Sequence, residues 1–392
     1  MNSSGVLLFV LSFGHMCTDI VQGALPALLP FLKERFGLSY AVTGTLLMAA
    51  HLTSSVIQPF FGYVTDRRPF PILLPLGLII SGIGVALVPH SPSFGWLVAF
   101  VMFTGLGTAA FHPEGFKATA CIVSERRATG MSLFSVGGNL GFAIGGPATI
   151  FLVSRYGLPG ASALLLPAAA AALLYLPALP PIRLRIQSAS SGPRGNAGNP
   201  VDRPLYAVSL IVMIVVLRSW TQLGLATYIP FLYQAQLKTD PGYVATLLFF
   251  FLVAGTVGTV VGGPLADRFG HRRYFTLSLL TVVPLAALFP YSRGLWAVLL
   301  LAVAGAIIVS SFAVTIAMGQ TLMPGNLGMS SGLITGLAIG LGGVAVTGLG
   351  WIADRRGLMA SMHVIPVLPL AGALLSLGIR MPPIYRGLRP KD

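Results

Sequence analysis

Seven ionisable residues stand inside long apolar stretches of this sequence: His15, Asp19, His51, His112, Glu114, Lys117 and Arg218. In hydrocarbon surroundings such a group costs several kcal/mol unless it is paired or hydrated, so each is a candidate for carrying or balancing charge. His15, Asp19 and Gln22 are spaced i, i+4, i+7, which places them on one face of one helix. Arg218 and Gln222 repeat the spacing about 200 residues later, with Thr221 and Tyr228 on a neighbouring or continuing face. Asp19 and Arg218 then lie at nearly equal depth in the two halves of the chain. They can be read as a fixed ion pair holding the halves together. They can equally be a switch, in which protonation of Asp19 frees Arg218 for an anionic substrate.

A second concentration is Phe111-His112-Pro113-Glu114 with Lys117 one turn later. The proline removes an intrahelical hydrogen bond, so distorted backbone and charge coincide there. Glu114 and Lys117 have the spacing of an i, i+3 ion pair, structural or functional, and His112 is a cavity candidate as proton relay or as packing element. His51 and Gln58 are two turns apart. Asn139 lies among Gly137, Gly138, Gly141, Gly145 and Gly146, a composition read first as close helix packing. Cys17 and Cys121 show no metal-ligand spacing and no disulfide framework. Neither a metal nor a catalytic constellation stands out, and no organic cofactor is expected.

The elements carrying these residues are membrane spans. The chain has 392 residues, of which 55% are hydrophobic and 9% charged, with a mean hydropathy of +0.84. Apolar runs long enough to cross about 30 Å of hydrocarbon recur throughout. They predict twelve helices: 6–31, 40–63, 71–88, 94–121, 128–153, 161–179, 205–233, 243–265, 274–289, 295–322, 330–352 and 358–379. The first has no basic residue before it and carries His15 and Asp19, so it reads as a retained helix rather than a signal peptide. Residues 181–204 are rich in Ser, Gly, Pro and Arg and read as a flexible cytoplasmic linker between an N-terminal six-helix bundle, 1–180, and a C-terminal one, 205–392.

A net charge of +14 would suggest nucleic acid in a soluble protein, but here the charge sorts by side. With the N-terminus cytoplasmic, that side collects fifteen basic residues and the other seven, leaving Lys117 and Arg218 inside spans. This satisfies the positive-inside rule, puts both termini in the cytoplasm and gives the lipid bilayer, not nucleic acid, as the partner. One chain holding both halves suits a monomer.

The halves also match each other at a shared offset: Pro30-Phe31-Leu32 with Pro230-Phe231-Leu232, Gly105 with Gly305, and Arg155-Tyr156-Gly157-Leu158 with Arg355-Arg356-Gly357-Leu358. The chemical pair is Gly62 to Asp66-Arg67, and Gly263 to Asp267-Arg268 followed by Gly270, Arg272 and Arg273. Glycine lets helices approach closely, the aspartate can face a helix N-terminus, and the arginines can pair on the cytoplasmic rim. The first copy has Pro69 for the second glycine and no closing basic pair. The motif resembles the GxxxDRxGxRR signature of the major facilitator superfamily. That resemblance implies an all-α membrane protein with twelve helices in two pseudo-symmetric bundles, and a role for these residues in latching a cytoplasmic gate.

Read in order, Ser12-Phe-Gly-His15-Met-Cys-Thr-Asp19, Ser54-Ser55-Val-Ile-Gln58-Pro59, Phe111 to Glu114 and Phe134-Ser-Val-Gly137-Gly138-Asn139 resemble the fosmidomycin resistance group of that superfamily. The group is regarded as proton-coupled drug efflux in the bacterial inner membrane. The resemblance implies export of a small anionic or amphiphilic compound driven by the proton gradient. Asp19, His15, His112 and Glu114 would then serve proton coupling, and Arg218, Gln22, Gln222, His51, Asn139, Tyr228 and Lys117 the substrate. Proton symport importing an organic anion would use the same residues, and a channel or a non-transporting sensor are the other readings.

Overall fold

The computed structural model describes residues 3–38, 40–123, 125–191, 204–230, 232–233, 241–337, 340–379 and 381. Among them the regular structure is entirely helical. In chain order the helices are α1 (Ser4–Phe36), α2 (Tyr40–Val56), α3 (Gln58–Arg67), α4 (Leu73–Leu87), α5 (Phe94–Ile122), α6 (Arg127–Tyr156), α7 (Leu165–Ser191) and α8 (Pro204–Pro230). They continue as α9 (Pro241–Phe269), α10 (His271–Leu288), α11 (Gly294–Leu322), α12 (Leu327–Gly332), α13 (Gly342–Arg356), α14 (Leu358–Val364) and α15 (Val367–Ser376).

Ten described helical segments are long and apolar enough to cross a membrane. Their outward faces keep large apolar side chains exposed, such as Phe9, Leu166, Leu295 and Trp296, as lipid-facing helices require. The other two expected spans are broken. Residues 40–63 divide into α2 and α3 at Ile57, because Pro59 has no amide to give the Ser55 carbonyl. Residues 330–352 begin as α12, pass through a π turn at Leu333–Leu337 and resume as α13. The start of the expected linker is also different: α7 runs on to Ser191, and 192–203 lie outside the described residues.

The chain forms two compact units. One comprises Met1–Glu125, Leu133–Gly195 and Gly325–Gly336; the other comprises Arg126–Ser132, Asn196–Pro324 and Leu337–Asp392. Each half of the sequence thus lends one short segment to the unit built mainly by the other. In the first unit an apolar core joins Val21, Leu25, Leu28 and Leu32 of α1 to Val85, Leu97, Val101 and Leu164. In the second, Leu225, Ile229 and Leu232 pack with Phe251, Val282, Phe289, Leu301 and Ile365. Leu25 and Leu225, Leu32 and Leu232, Val101 and Leu301 are positions the repeat equates. Gly157 and Gly357, another such pair, both turn the chain with positive φ, at 70° and 85°.

In the first unit α1 and α6 touch backbone to backbone. Gly137, Gly141 and Gly145 lie against the carbonyls of Ser12, Met16 and Ile20, two i, i+4, i+8 series in register. Only glycine admits that approach, which supplies dispersion and Cα–H···O contacts where no hydrophobic effect joins helices. The two broken helices meet in the same unit: Gly336 lies on the Ser55 carbonyl that Pro59 leaves without its helical donor, and Gly332 on that of Gln58. The Thr335 hydroxyl, in the π turn, donates to Gln58 Oε1 at 2.5 Å. The seam predicts a contrast within α6. Gly141→Ala should destabilise by about 1–3 kcal/mol through overpacking. Gly146→Ala, whose nearest neighbour would be 3.8 Å from the new methyl, should be neutral or stabilising by up to about 1 kcal/mol. Thermal unfolding in detergent measures both.

Candidate functional site

The carboxylate of Asp19 is reached from two helices of the first unit. On α1, the turn before it brings His15 Nε2 to 3.3 Å from Oδ2, and the turn after brings Gln22 Nε2 to 2.6 Å from Oδ1. From α5, His112 Nε2 lies 3.2 Å from Oδ1. Pro113 follows immediately, so His112 sits where α5 cannot complete its ladder. Both histidines are buried.

His15 has a second partner that fixes its chemistry. Its Nδ1 is 2.8 Å from the Phe134 carbonyl of α6. A carbonyl only accepts, so Nδ1 carries the proton and donates. The ring is stacked on Phe134 at 4.2 Å between centroids and meets Phe116 and His112 edge-on at 5.8 and 5.0 Å. Below it, a methyl group on Gly138 would strike His15 Nε2 and Asp19 Oδ2. The imidazole is thereby confined, and its Nε2, a lone pair in the neutral ring, lies 3.3 Å from a carboxylate oxygen.

Gln22 continues from Asp19 to a small cavity that it lines with His51, Ser54, Thr104 and Thr108. Four of the sequence candidates, His15, Asp19, Gln22 and His112, thus form one polar cluster, with His51 reached through Gln22. Asn139 is half-buried on α6, beside the glycine seam.

Lys117 does not line this site. Its ammonium donates to the Thr65 carbonyl at 2.5 Å and pairs with Glu114 Oε2 at 3.4 Å and Asp66 Oδ1 at 3.9 Å. Glu114 and Lys117 follow His112 on α5 by two and five residues, and there Lys117 is shared between Glu114 and Asp66. Asp66 in turn caps α12: Oδ1 accepts from the Gly328 amide at 2.9 Å and Oδ2 from Met329 at 2.8 Å. Gly62 makes room, lying against the Gly328 carbonyl.

The second unit repeats the device. Asp267 caps the start of α6, accepting from the amides of Ala128 at 3.1 Å and Thr129 at 2.9 Å and from the Thr129 hydroxyl at 2.7 Å. His271 Nε2 donates to Oδ1 at 2.9 Å, while Gly263 lies against Ala128 and Ser132. Gly270, with φ 93°, turns the chain into α10. The motif arginines pair with aromatic rings rather than carboxylates: Arg67 lies over Tyr63 and Arg268 over Phe269. Arg272 is half-buried and Arg273 exposed.

Arg218, also in the second unit, is buried. Its Nε donates to the Ile308 carbonyl at 2.9 Å and its guanidinium lies over Phe312 at 5.1 Å. Within that unit, among the described residues, no carboxylate is within ion-pairing distance of it. Gln222, one turn on, is half-buried. Tyr228 is not grouped with Arg218: it packs in the apolar core with Leu225 and Ile229. Asp19 and Arg218 each find their partners inside their own unit. Sequence reasoning missed the Phe134 carbonyl, the Thr129 hydroxyl and Thr335. Phe134 stood beside the glycine run, but nothing in the sequence says which carbonyl a neighbouring helix presents.

A sequence model described as Major Facilitator Superfamily matches residues 11–347. The chain is 34% identical over 382 residues to the uncharacterized MFS-type transporter YfnC of Bacillus subtilis (strain 168), covering 94% of this chain and 91% of that one. It is 31% identical over 375 residues to the fosmidomycin resistance protein of Escherichia coli (strain K12), again covering 94% and 91%. Among solved structures, the E. coli fucose:proton symporter FucP is similar with a TM-score of 0.74 at 13% identity, over 97% of this chain and 100% of that one. The human organic anion transporter MFSD10 is similar with a TM-score of 0.71 at 18% identity, over 96% and 100%.

The two caps make a paired prediction. Asp66→Ala should speed hydrogen exchange at the Gly328 and Met329 amides, and Asp267→Ala at Ala128 and Thr129, each by about tenfold for a cap worth about 1–2 kcal/mol. Exchange mass spectrometry that finds either pair of amides unaffected contradicts the capping assignment.

Proposed function

The chain belongs to the Major Facilitator Superfamily and is a multi-pass membrane transporter, and from that premise we propose that it couples proton movement to export of a small anionic or amphiphilic solute. The membrane in this reading is a bacterial inner membrane, with both termini cytoplasmic. The solute crosses unchanged, by the alternating access expected of two repeated bundles.

The observation that carries the reading is the fixed ring of His15. With Nδ1 committed to Phe134, the neutral ring sets a lone pair against Asp19 at 3.3 Å. Two acceptors facing each other in a buried place repel; a proton between them turns the contact into a charge-assisted hydrogen bond. The site is therefore built around an exchangeable proton, with Asp19 as carrier, His15 and His112 as its partners, and Gln22 and the His51 cavity as the hydrated approach. Glu114, neutralised by Lys117, stands apart as a structural charge near the Asp66 cap. Asp66 and Asp267, each holding the first turn of a helix, would be the elements of a cytoplasmic gate.

Support for an anionic solute comes from Arg218. A buried guanidinium without a carboxylate partner among the described residues of its own unit favours an anion, and its planar fork matches a carboxylate or phosphonate. The likeness to a fosmidomycin resistance protein points the same way. Gln222 would add a hydrogen bond one turn along. Tyr228 and Lys117, engaged elsewhere, are left out of the substrate site.

The test is flux in proteoliposomes containing the purified protein, with an imposed pH gradient and a panel of phosphonates, organic acids and cationic drugs. An anionic member of the panel should dissipate the gradient, and the sign of proton movement separates exchange from symport. Asp19→Asn, which keeps volume but removes titration, should fold and lose coupled flux. Arg218→Gln should raise the concentration of anion needed by tenfold or more, for a charge-assisted pair worth about 1.5–3 kcal/mol. Wild-type coupling in Asp19→Asn sinks the assignment.

A further inference from the structure

The cluster that would hold a proton also has the donor set of a metal site. His15 and His112 each offer Nε2 and Asp19 a carboxylate, and these atoms all lie within 4.8 Å of one another. It is the one such group of three among the described residues. Spacing along the chain does not reveal it, because His112 stands on a different helix.

Three features go beyond proximity. First, ligands about 2.0–2.1 Å from a tetrahedral zinc ion are separated from each other by about 3.3 Å. The two histidine-to-carboxylate distances, 3.3 Å from His15 to Oδ2 and 3.2 Å from His112 to Oδ1, end on different oxygens, so each imidazole already stands at ligand separation from one oxygen of a carboxylate that can bind through both. Second, a metal-bound histidine almost always donates its other ring N–H to a carbonyl or carboxylate, fixing tautomer and orientation. His15 does this with the Phe134 carbonyl at 2.8 Å, leaving Nε2 as the free lone pair. Third, the stacked Phe134 ring and the glycine seam keep His15 from turning out, so the donors need little reordering to bind.

We propose that His15, His112 and Asp19 bind one divalent ion of the zinc class, with two imidazoles and one carboxylate as ligands. The ion occupies the place between His15 and Asp19 that a proton otherwise fills, so the two are mutually exclusive and the metal-loaded chain is held in one state. Binding itself does not depend on the transport reading; the exclusion of the proton does.

The experiment uses the full chain purified without a polyhistidine tag and titrated in detergent with Co²⁺ alone. Visible absorption should show one ion per chain with the intense bands of a low-coordinate site, displaced by Zn²⁺. His15→Gln and His112→Gln should each weaken binding by at least tenfold, whereas His90→Ala, an exposed histidine elsewhere, should leave it unchanged. X-ray absorption on zinc-loaded wild type should count two imidazoles, a readout independent of whether the variants fold. No stoichiometric binding, binding undiminished in a folded His112→Gln, or a zinc shell without two imidazoles overturns the proposal. Metal binding with no proton-coupled flux in liposomes would leave this site standing and count against the proton-coupled reading instead.

Discussion

A carboxylate in the apolar interior of a helical bundle is tolerated only where donors converge on it. At Asp19 the donors come from different helices, Gln22 from its own and His112 from α5 beside Pro113, and His15 joins them when a proton lies between its Nε2 and the carboxylate. The convergence requires α1, α5 and α6 to be held in register to within a few tenths of an ångström. The glycine seam between α1 and α6 does this for one pair, since carbonyls of Ser12, Met16 and Ile20 rest directly on Gly137, Gly141 and Gly145. The same seam brings the Phe134 carbonyl to His15 and closes the floor beneath it with Gly138. Packing and charge are thus one arrangement: loosen the backbone contact and the ring of His15 regains its freedom.

The helix ends follow a similar logic. An unsatisfied first turn needs acceptors, and Asp66 and Asp267 supply them to α12 and α6 from motifs about 200 residues apart in a repeated chain. Each cap recruits a segment from the other half of the sequence into its unit. Such contacts are few, polar and strong in one geometry only.

Much of this was legible in the sequence because it depends on one helix at a time. Apolar length places the spans, and the i, i+4, i+7 spacing puts His15, Asp19 and Gln22 on a common face. Pro113 beside His112 marks irregular backbone before any neighbour is known. The glycines of α6 announce close contact, and the motif aspartates announce a helix start. What stayed hidden depends on pairs of helices. That His112 meets Asp19, or that Lys117 turns to Asp66 and Thr65 instead of a substrate, follows from inter-helix register, which carries no local signature. Pro59 was visible inside the second span, yet a proline can kink a membrane helix or break it, and here the Gly336 contact on the Ser55 carbonyl stabilises the break. The π turn at Leu333–Leu337 has no proline to announce it. Tyr228 fitted a polar face by spacing, but α8 turns it into the core.

Everything at the site depends on the Nδ1 of His15 holding its proton against the Phe134 carbonyl, which leaves Nε2 to face Asp19. Nitrogen-15 NMR of histidine-labelled protein, with the His15 signals assigned by their loss in His15→Gln, reads both atoms across a pH series. The expected result is an Nδ1 that is protonated throughout and an Nε2 signal that changes when Asp19→Asn removes the carboxylate it faces. A neutral His15 carrying its proton on Nε2, or an Nε2 indifferent to Asp19, would contradict it.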